Sequence, residues 1–141
     1  MTPAAMAALH AASFPRGWTE AEIAALLARP TTLAVTAPHG FALVQILPPE
    51  AEILTIVIDP AHRGQGHGTG LLAQALDMAT DNRTTTVFLE VDTLNTAAVA
   101  LYGRAGFTRT GLRRAYYAHP DGSRSDAITM TLEIPAQSRG T

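Results

Sequence analysis

The sequence predicts a layered α/β domain in which helices flank a mixed central β-sheet. Segments with apolar residues at helical spacing alternate with runs rich in β-branched residues, and glycine or proline separates them. With 141 residues, of which 47% are hydrophobic, the chain is long enough for one domain with its own core. We therefore expect a single domain over residues 1–134 and a flexible tail over residues 135–141.

The first third of the chain predicts two helices and a β-hairpin. The alanine-rich segment Pro3–Ser13 is typical of a helix. Thr19 and Glu22 form a capping-box pattern for a second helix, which Pro30 ends. Two short strands and the turn between them follow at Thr32–Ala37, Gly40–Leu47 and His39-Gly40.

The remainder of the chain predicts the order strand, helix, strand, helix, strand, strand. These elements lie at 52–58, 64–79, 85–91, 95–105, 107–118 and 126–134, with a turn at 119–122. The first helix begins almost at residue 1, so no strand is expected before it. The order of the strands within the sheet does not follow from the sequence.

The composition excludes several classes of protein. A net charge of −2 argues against nucleic-acid binding, which requires a basic surface. The chain contains neither cysteine nor lysine, which excludes thiolate nucleophiles, cysteine-ligated zinc, P-loops and lysine Schiff bases. No apolar run approaches the roughly 18 residues of a membrane span and no signal-peptide pattern is present, so we expect a cytoplasmic protein without a membrane partner.

The histidines show no spacing typical of a metal site, and we expect no bound metal. All of them are expected on the surface or in loops: His10, His39, His62, His67 and His119.

The clearest functional signal is the segment 63–70, which reads Arg-Gly-Gln-Gly-His-Gly-Thr-Gly. It lies between a predicted strand and a predicted helix, where main-chain amides can hold an anion such as a pyrophosphate. The alternative is a flexible connection without a ligand. The dinucleotide fingerprint does not fit, because its third glycine position falls on Thr69 when counted from Gly64 and on Leu71 when counted from Gly66.

Arg63, Gly66 and Gly68 fit the pattern R-x-x-G-x-G, and here the chain resembles the coenzyme A pyrophosphate loop of the GNAT acetyltransferases. Downstream segments are similar to the same family: 88–91 (Phe-Leu-Glu-Val), 95–98 (Asn-Thr-Ala-Ala), 100–102 (Ala-Leu-Tyr) and 105–107 (Ala-Gly-Phe). The chain also resembles the RimI-type branch of this family, whose members acetylate protein N-termini. The segments that carry this resemblance are 14–15, 18–20, 113–117, 121–122 and 126–128. The resemblance extends over about residues 6–134 and implies acetyl-CoA as co-substrate, although GNAT chains usually begin with a strand.

The resemblance implies a role for each matching residue. The main chain of Ile56, Val57 and Ile58 is expected to pair with the pantetheine arm, and Asn95 to touch the cofactor beside it. Glu90 is expected to act as general base and Tyr102 as general acid. The expected pyrophosphate site comprises Arg63, Gly64, Gln65, Gly66, His67, Gly68 and Thr69.

Several of these residues also have a purely structural interpretation. Glu90 can be a solvated carboxylate opposite a buried strand face, Asn95 can be a helix N-cap, and Tyr102 can be a core residue. Glu52, placed on the face of Leu54 and Ile56, is either a rival base or a solvated strand end. Arg113 and Arg114 either steer an acidic partner or are ordinary exposed charges. Tyr116 and Tyr117 alternate faces on a strand, so at most one of them should line the peptide groove while the other packs.

Elementary chemistry agrees with amine acetylation. Without cysteine, direct attack of an amine on a thioester is the simplest route, and it requires a base for the amine and a proton for the thiolate. An α-amine titrates near ~8 and a lysine near ~10.4, so a modest base suffices for an N-terminus. The expected function is acetyl transfer to a protein N-terminus, for which the resemblance implies a ribosomal protein beginning with alanine. The alternatives are acetylation of a small amine or lysine side chain, or a non-catalytic acyl-CoA-binding module; a monomer or weak homodimer is expected.

Overall fold

A computed structural model describes residues 1–14 and 16–135, so the predicted tail lies outside the described residues except for Pro135. The helices are α1 (Pro3–Ser13), α2 (Glu20–Leu27), α3 (His67–Asp81) and α4 (Thr96–Arg104), with one 3-10 turn at Pro60–His62. The strands are β1 (Thr32–Ala37), β2 (Gly40–Leu47), β3 (Glu50–Ile58), β4 (Thr86–Asp92), β5 (Thr108–Ala118) and β6 (Arg124–Glu133). The predicted element order is confirmed, and the predicted strand boundaries lie within two residues of those observed.

The helix starts follow the local sequence chemistry. The side chain of Thr19 accepts a hydrogen bond from the Glu22 amide, and Glu22 returns one to the Thr19 amide, so the predicted capping box is confirmed. The α2 helix ends at Leu27, before Pro30 is reached. Thr2 caps α1, and in the described part of the chain no strand precedes that helix.

The six strands of the described chain form one mixed sheet in the order β1-β2-β3-β4-β6-β5. Only β3 and β4 run parallel, and all other neighbours are antiparallel. The parallel pair is short: Glu50, Ala51 and Glu52 align with Thr86, Val87 and Phe88, and no register continues beyond them. Both strands run on to Ile58 and Asp92, so they separate and leave a gap in the sheet.

A β-bulge in β3 changes which face its side chains occupy. Thr55 aligns with Leu43 and Ile53 with Val44, which leaves Leu54 as the extra residue. Leu54 therefore packs with α1 and α2, whereas Ile56 packs on the opposite face with the core that contains α3. The expectation that Leu54 and Ile56 share a face with Glu52 is wrong, because simple alternation does not continue through a bulge.

Two apolar clusters hold the helices on opposite faces of the sheet. The larger contains Leu71, Leu72 and Ala75 of α3 and Tyr102 of α4, packed on β-strand residues such as Leu89. The smaller joins α1 and α2 to the other face, through Met6, Ile23, Phe41, Leu43 and Val57. The gap between β3 and β4 consequently has α3 and α4 on one side. On the other side lies the α1–α2 connection, by which we mean Phe14 and residues 16–19.

Candidate active site

A cavity of about 890 Å³ occupies the region where β3 and β4 separate. Its walls come from the α1–α2 connection, β3, the glycine-rich loop, the end of β4, the first turns of α4 and the end of β5. Residues from both faces of the sheet line it: Glu90 lies opposite the buried face of β4, whereas Tyr102 belongs to the core on the α3 side. One cavity therefore connects the two faces of the sheet.

The predicted site residues converge on this cavity, with one exception. Those that line it are Ile56, Val57, Ile58, Arg63, Gly64, Gly66, His67, Gly68, Thr69, Glu90, Asn95 and Tyr102. Gln65 is exposed and does not line the cavity; its side-chain oxygen lies 3.2 Å from Nε2 of His67. Gln65 stands between two glycines of positive φ, and the backbone turns its side chain outward there.

The glycine-rich loop ends at an uncapped helix. Gly64 and Gly66 have φ of 78° and 83°, a region that side-chain-bearing residues avoid. Gly66 is the N-cap of α3 and gives no side-chain cap, so the first amides of α3 retain hydrogen-bonding capacity. A Cβ added at either glycine would meet no protein atom within 4 Å, which leaves the space in front of these amides open. Free amides at a helix N-terminus, facing open space, form an anion site.

Three histidines lie together at this end of the cavity. The rings of His39 and His62 stack at 3.6 Å between centroids, and His67 lies 5.0 Å from His39. They occupy a hairpin turn, a 3-10 turn and a helix start, in agreement with the loop positions expected for them. Within residues 1–14 and 16–135, no group of three or more histidines and carboxylates is arranged to hold a metal ion.

Asn95 has the structural role that its sequence position indicated. It is the N-cap of α4, and its Oδ1 accepts a hydrogen bond of 3.2 Å from the Ala98 amide. Because an asparagine side chain has separate acceptor and donor ends, its NH₂ group remains for a ligand in the cavity.

Glu90 is held in a defined position. Its side chain is 26% exposed, and Oε1 lies 3.4 Å from Nη2 of Arg113. Its second oxygen, Oε2, is buried and has no hydrogen-bond partner in the protein. A buried carboxylate oxygen without a partner is rare, and a ligand that donates a hydrogen bond would satisfy it.

Glu52 is placed differently from Glu90. It stands at the last aligned position before β3 and β4 separate, and it does not line the cavity. Burial raises the pKa of the Glu52 carboxyl, and the negative charge of Glu90 raises it further. Glu52 thus lies close enough to Glu90 to feel its charge, but it is not among the residues that line the cavity.

Tyr102 is a core residue that also reaches the cavity. It is 6% exposed, and its ring meets that of Phe107 edge to face at 5.7 Å. Burial raises the pKa of the Tyr102 hydroxyl well above its ordinary value, with a smaller contribution from Tyr117. Tyr102 consequently keeps its proton across the physiological pH range.

The β5 strand supplies residues whose placement depends on a bulge. Ala115 has a φ of 53°, and its amide donates a hydrogen bond of 2.8 Å to Oδ1 of Asp126. Beyond this bulge Tyr117 lines the cavity, and burial raises its pKa to about 12. Tyr116 does not pack in the core as the alternating pattern predicted for the second tyrosine; it is 48% exposed, and the Arg113 guanidinium lies 5.1 Å from its ring centroid.

Arg113 is an exposed charge, as one of the two alternatives had it, and it also pairs with Glu90. One expectation for a single residue is wrong. His10 is not at the surface: it is 3% exposed within α1 and lines the cavity. The alanine-rich sequence of α1 gives no strong amphipathic pattern, so its buried face could not be identified from the sequence.

Sequence reasoning missed two residues that line the cavity on the side of Glu90, here called its acceptor end. Asp92 and His119 line the cavity; Nε2 of His119 lies 3.5 Å from Oδ2 of Asp92 and 2.7 Å from Oγ of Ser125. The signal for Asp92 was available, since it shares the strand face of Glu90. His119 could not be found, because its position depends on how the β5–β6 turn folds back.

The sheet thus opens between two parallel strands beside an uncapped helix start, and the cavity there has the shape of a site for an extended anionic ligand. Residues 4–107 match the family model described as the acetyltransferase (GNAT) family. A crystal structure of the ribosomal-protein-S18-alanine N-acetyltransferase from Escherichia coli superposes with a TM-score of 0.83 at 34% identity, covering 94% of this chain and 86% of that one. The chain belongs to the GNAT acetyltransferase family.

Curated relatives share a substantial part of the sequence. The [ribosomal protein bS18]-alanine N-acetyltransferase of Escherichia coli strain K12 is 42% identical over 95 residues, which are 67% of this chain and 64% of the relative. The N-alpha-acetyltransferase RimI of Mycobacterium tuberculosis is 48% identical over 92 residues, which are 64% of this chain and 54% of the relative. The aligned regions thus span less than two thirds of these relatives. No helix among the described residues is long and apolar enough to cross a membrane.

Proposed function

We propose that this protein transfers an acetyl group from acetyl-CoA to the N-terminal α-amine of another protein. The observation that carries the proposal is a single cavity that joins an anion-binding loop on one face of the sheet to the partly buried Glu90 on the other. Relatives that bear the names of N-terminal acetyltransferases support the acceptor class. The name of the Escherichia coli relative supports a ribosomal protein with N-terminal alanine as the acceptor, and we place the reaction in the cytoplasm, where such proteins are made.

The cofactor end fits a long ligand with a pyrophosphate. The amides of Gly64 to Thr69 bind the negative oxygens, and Arg63 adds a positive charge at the same end. Main-chain groups of Ile56, Val57 and Ile58 border the gap where no strand pairs with β3, so they are available to an extended amide-containing arm. The NH₂ group of Asn95 contacts the ligand beside that arm. When bound, acetyl-CoA supplies the activated thioester carbonyl.

The acceptor end provides acid and base from opposite sides. Glu90 takes a proton from the attacking amine, directly or through a water molecule, because its carboxylate lines the cavity and its side chain is 26% exposed there. Tyr102 donates a hydrogen bond to the departing sulfur from the α4 side. The chain has no cysteine, so acyl transfer through a thiol of this protein is excluded, and direct attack of the amine on the thioester is the simplest route.

The cofactor site is tested by Gly66→Val. A side chain at Gly66 projects into the open space in front of the α3 amides, so the affinity for acetyl-CoA is expected to fall about tenfold or more. Calorimetric titration of acetyl-CoA measures the change. Gly122→Val is the matched control, since Gly122 has a φ of 87°, has equally open space and lies outside the cavity. Wild-type affinity in a folded Gly66→Val variant would refute this site.

The acceptor class is tested with a peptide panel. Peptides with a free N-terminal alanine, serine or glycine are expected to be acetylated, and the same peptides with a blocked N-terminus to react at least about 10²-fold more slowly, because the nucleophile is removed. Mass spectrometry of the products locates the acetyl group. Efficient modification of an internal lysine in a blocked peptide would replace the proposed acceptor by a side chain. Binding of acetyl-CoA without transfer to any amine would indicate a non-catalytic binding module.

A further inference from the structure

The α1–α2 connection forms one wall of the acceptor end of the cavity. The cavity is lined here by Phe14, Arg16 and Trp18 of the connection and by Ser13, the last residue of α1. Oγ of Ser13 is buried there without a hydrogen-bond partner in the protein. The shape of this wall therefore determines how an acceptor can approach Glu90.

One side chain contacts both ends of this connection. Nδ1 of His10 accepts a hydrogen bond of 3.0 Å from the Trp18 amide. The His10 ring stacks on Phe14, with centroids 4.3 Å apart and an interplanar angle of 27°. It also stacks on Trp18, at 4.5 Å and 14°. The main-chain carbonyl of His10 accepts a hydrogen bond from the Phe14 amide as well.

The connection passes close to α1 at this point. A Cβ on Gly17 would lie 2.5 Å from Cα of Ala11, so the chain runs directly against the helix. His10 can accept from Trp18 only while Nδ1 carries no proton. Burial lowers the pKa of His10 to about 4; Arg16 adds to the decrease, and Glu22 opposes it. The imidazole is therefore neutral near pH 7, and the hydrogen bond persists.

We propose that His10 is a positioning residue for the acceptor: it fixes the α1–α2 connection in the conformation that binds the acceptor's N-terminal residues. The inference rests on the proposed function, because the acceptor is taken to bind at this end. The side-chain hydrogen bond and the ring contacts of His10 are with Trp18 and Phe14. Its replacement should therefore raise the KM for the acceptor, while cofactor affinity and kcat stay close to their wild-type values.

Two variants separate the contacts of His10. His10→Phe keeps a ring for stacking but leaves the Trp18 amide without its acceptor, and it is expected to raise the acceptor KM about tenfold. His10→Asn carries an oxygen near the position of Nδ1 and should recover part of that loss. Steady-state kinetics with a free-N-terminal peptide gives KM and kcat, and calorimetry gives the affinity for acetyl-CoA.

Trp18 reports on the connection directly, since it is the chain's single tryptophan. In the wild type it stacks on His10, and in His10→Phe its fluorescence is expected to become more accessible to acrylamide quenching. Ile46→Val is the control: Ile46 is 7% exposed, packs in the larger apolar cluster on the opposite face of the sheet and does not line the cavity. This variant should lose stability without a change in Trp18 quenching or acceptor KM.

Each result decides the inference. A folded His10→Phe protein with wild-type acceptor KM and wild-type quenching overturns it, and so does an equal rise of KM in Ile46→Val. If His10→Phe does not fold, the same two readouts on His10→Asn decide. If the wild type acetylates no peptide N-terminus, the proposed function fails. Calorimetry of a free-N-terminal peptide with acetyl-CoA present then decides the inference, which requires weaker peptide binding to the His10 variants than to Ile46→Val.

Discussion

Replacement of Tyr102 by phenylalanine is expected to lower kcat by about 10²-fold or more, which is the contribution typical of a positioned general acid. The phenylalanine ring keeps the edge-to-face contact with Phe107 and the burial in the α3-side core, so the fold is retained. Only the hydroxyl is lost, and with it the hydrogen bond to the departing sulfur. Single-turnover acetyl transfer to a free-N-terminal peptide measures the change.

The environment of Tyr102 does not make it a stronger acid. Burial raises its pKa, with a further contribution from Tyr117, so complete proton transfer to a thiolate is harder than reference values of ~10 and ~8.5 indicate. The same low-polarity surroundings also raise the proton affinity of a thiolate formed there, because desolvation disfavours its charge. What the site provides is a proton held in place across the physiological pH range. Tyr102 should therefore remain protonated between pH 6 and pH 9, and its titration should not lower kcat in that range.

Tyr117→Phe is the matched control for this prediction. Tyr117 lines the same cavity, and burial raises its pKa to about 12, so it is the other candidate donor. It comes from β5, on the acceptor side of the sheet, and its loss should raise the acceptor KM more than it lowers kcat. Wild-type kcat in Tyr102→Phe together with an inactive Tyr117→Phe would move the general acid to β5.

The position of the glycine-rich loop at a helix start could be predicted from the sequence because its determinants are local. Arg63, Gly66 and Gly68 stand within six residues, and the change from β-branched to helical pattern around them places the loop at a helix start. The same holds for Thr19 and Glu22, whose capping box needs only three residues of separation.

The acceptor end depends on contacts between distant segments and could not be predicted in the same way. Arg113 on β5 and Glu90 on β4 are separated by β6. The β6 residue aligned with Arg113 is Ala127, whose small side chain leaves room for the arginine to cross to β4. This strand order is not encoded in the local pattern. The bulges at Leu54 and Ala115 likewise change the side-chain alternation on which a sequence-based assignment of strand faces relies.

Replacement of Glu90 by glutamine is expected to lower kcat with a free-N-terminal peptide by about 10²-fold, because the amide has the shape of the carboxylate but is not a base. An α-amine titrates near ~8, so about one tenth is neutral at pH 7, against less than about one in a thousand for a lysine near ~10.4, and one carboxylate suffices to remove the proton from an N-terminus. Raising the assay pH supplies more neutral amine. The deficit of Glu90→Gln relative to wild type should therefore become smaller between pH 7 and pH 9, and pH-dependent initial rates measure this.

Glu52→Gln is the control that distinguishes the two carboxylates. Glu52 carries the same charge and lies one strand away, yet it does not line the cavity, so its loss should lower kcat by less than about tenfold. The Glu90 substitution also removes the partner of Arg113, but an ion pair with a 57% exposed arginine contributes little to stability, so the variant should unfold close to the wild-type temperature. An inactive Glu52→Gln protein beside a fully active Glu90→Gln protein would assign the base to β3. Equal, small effects in both variants would mean that solvent alone deprotonates the amine, and that Oε2 of Glu90 serves only to bind it.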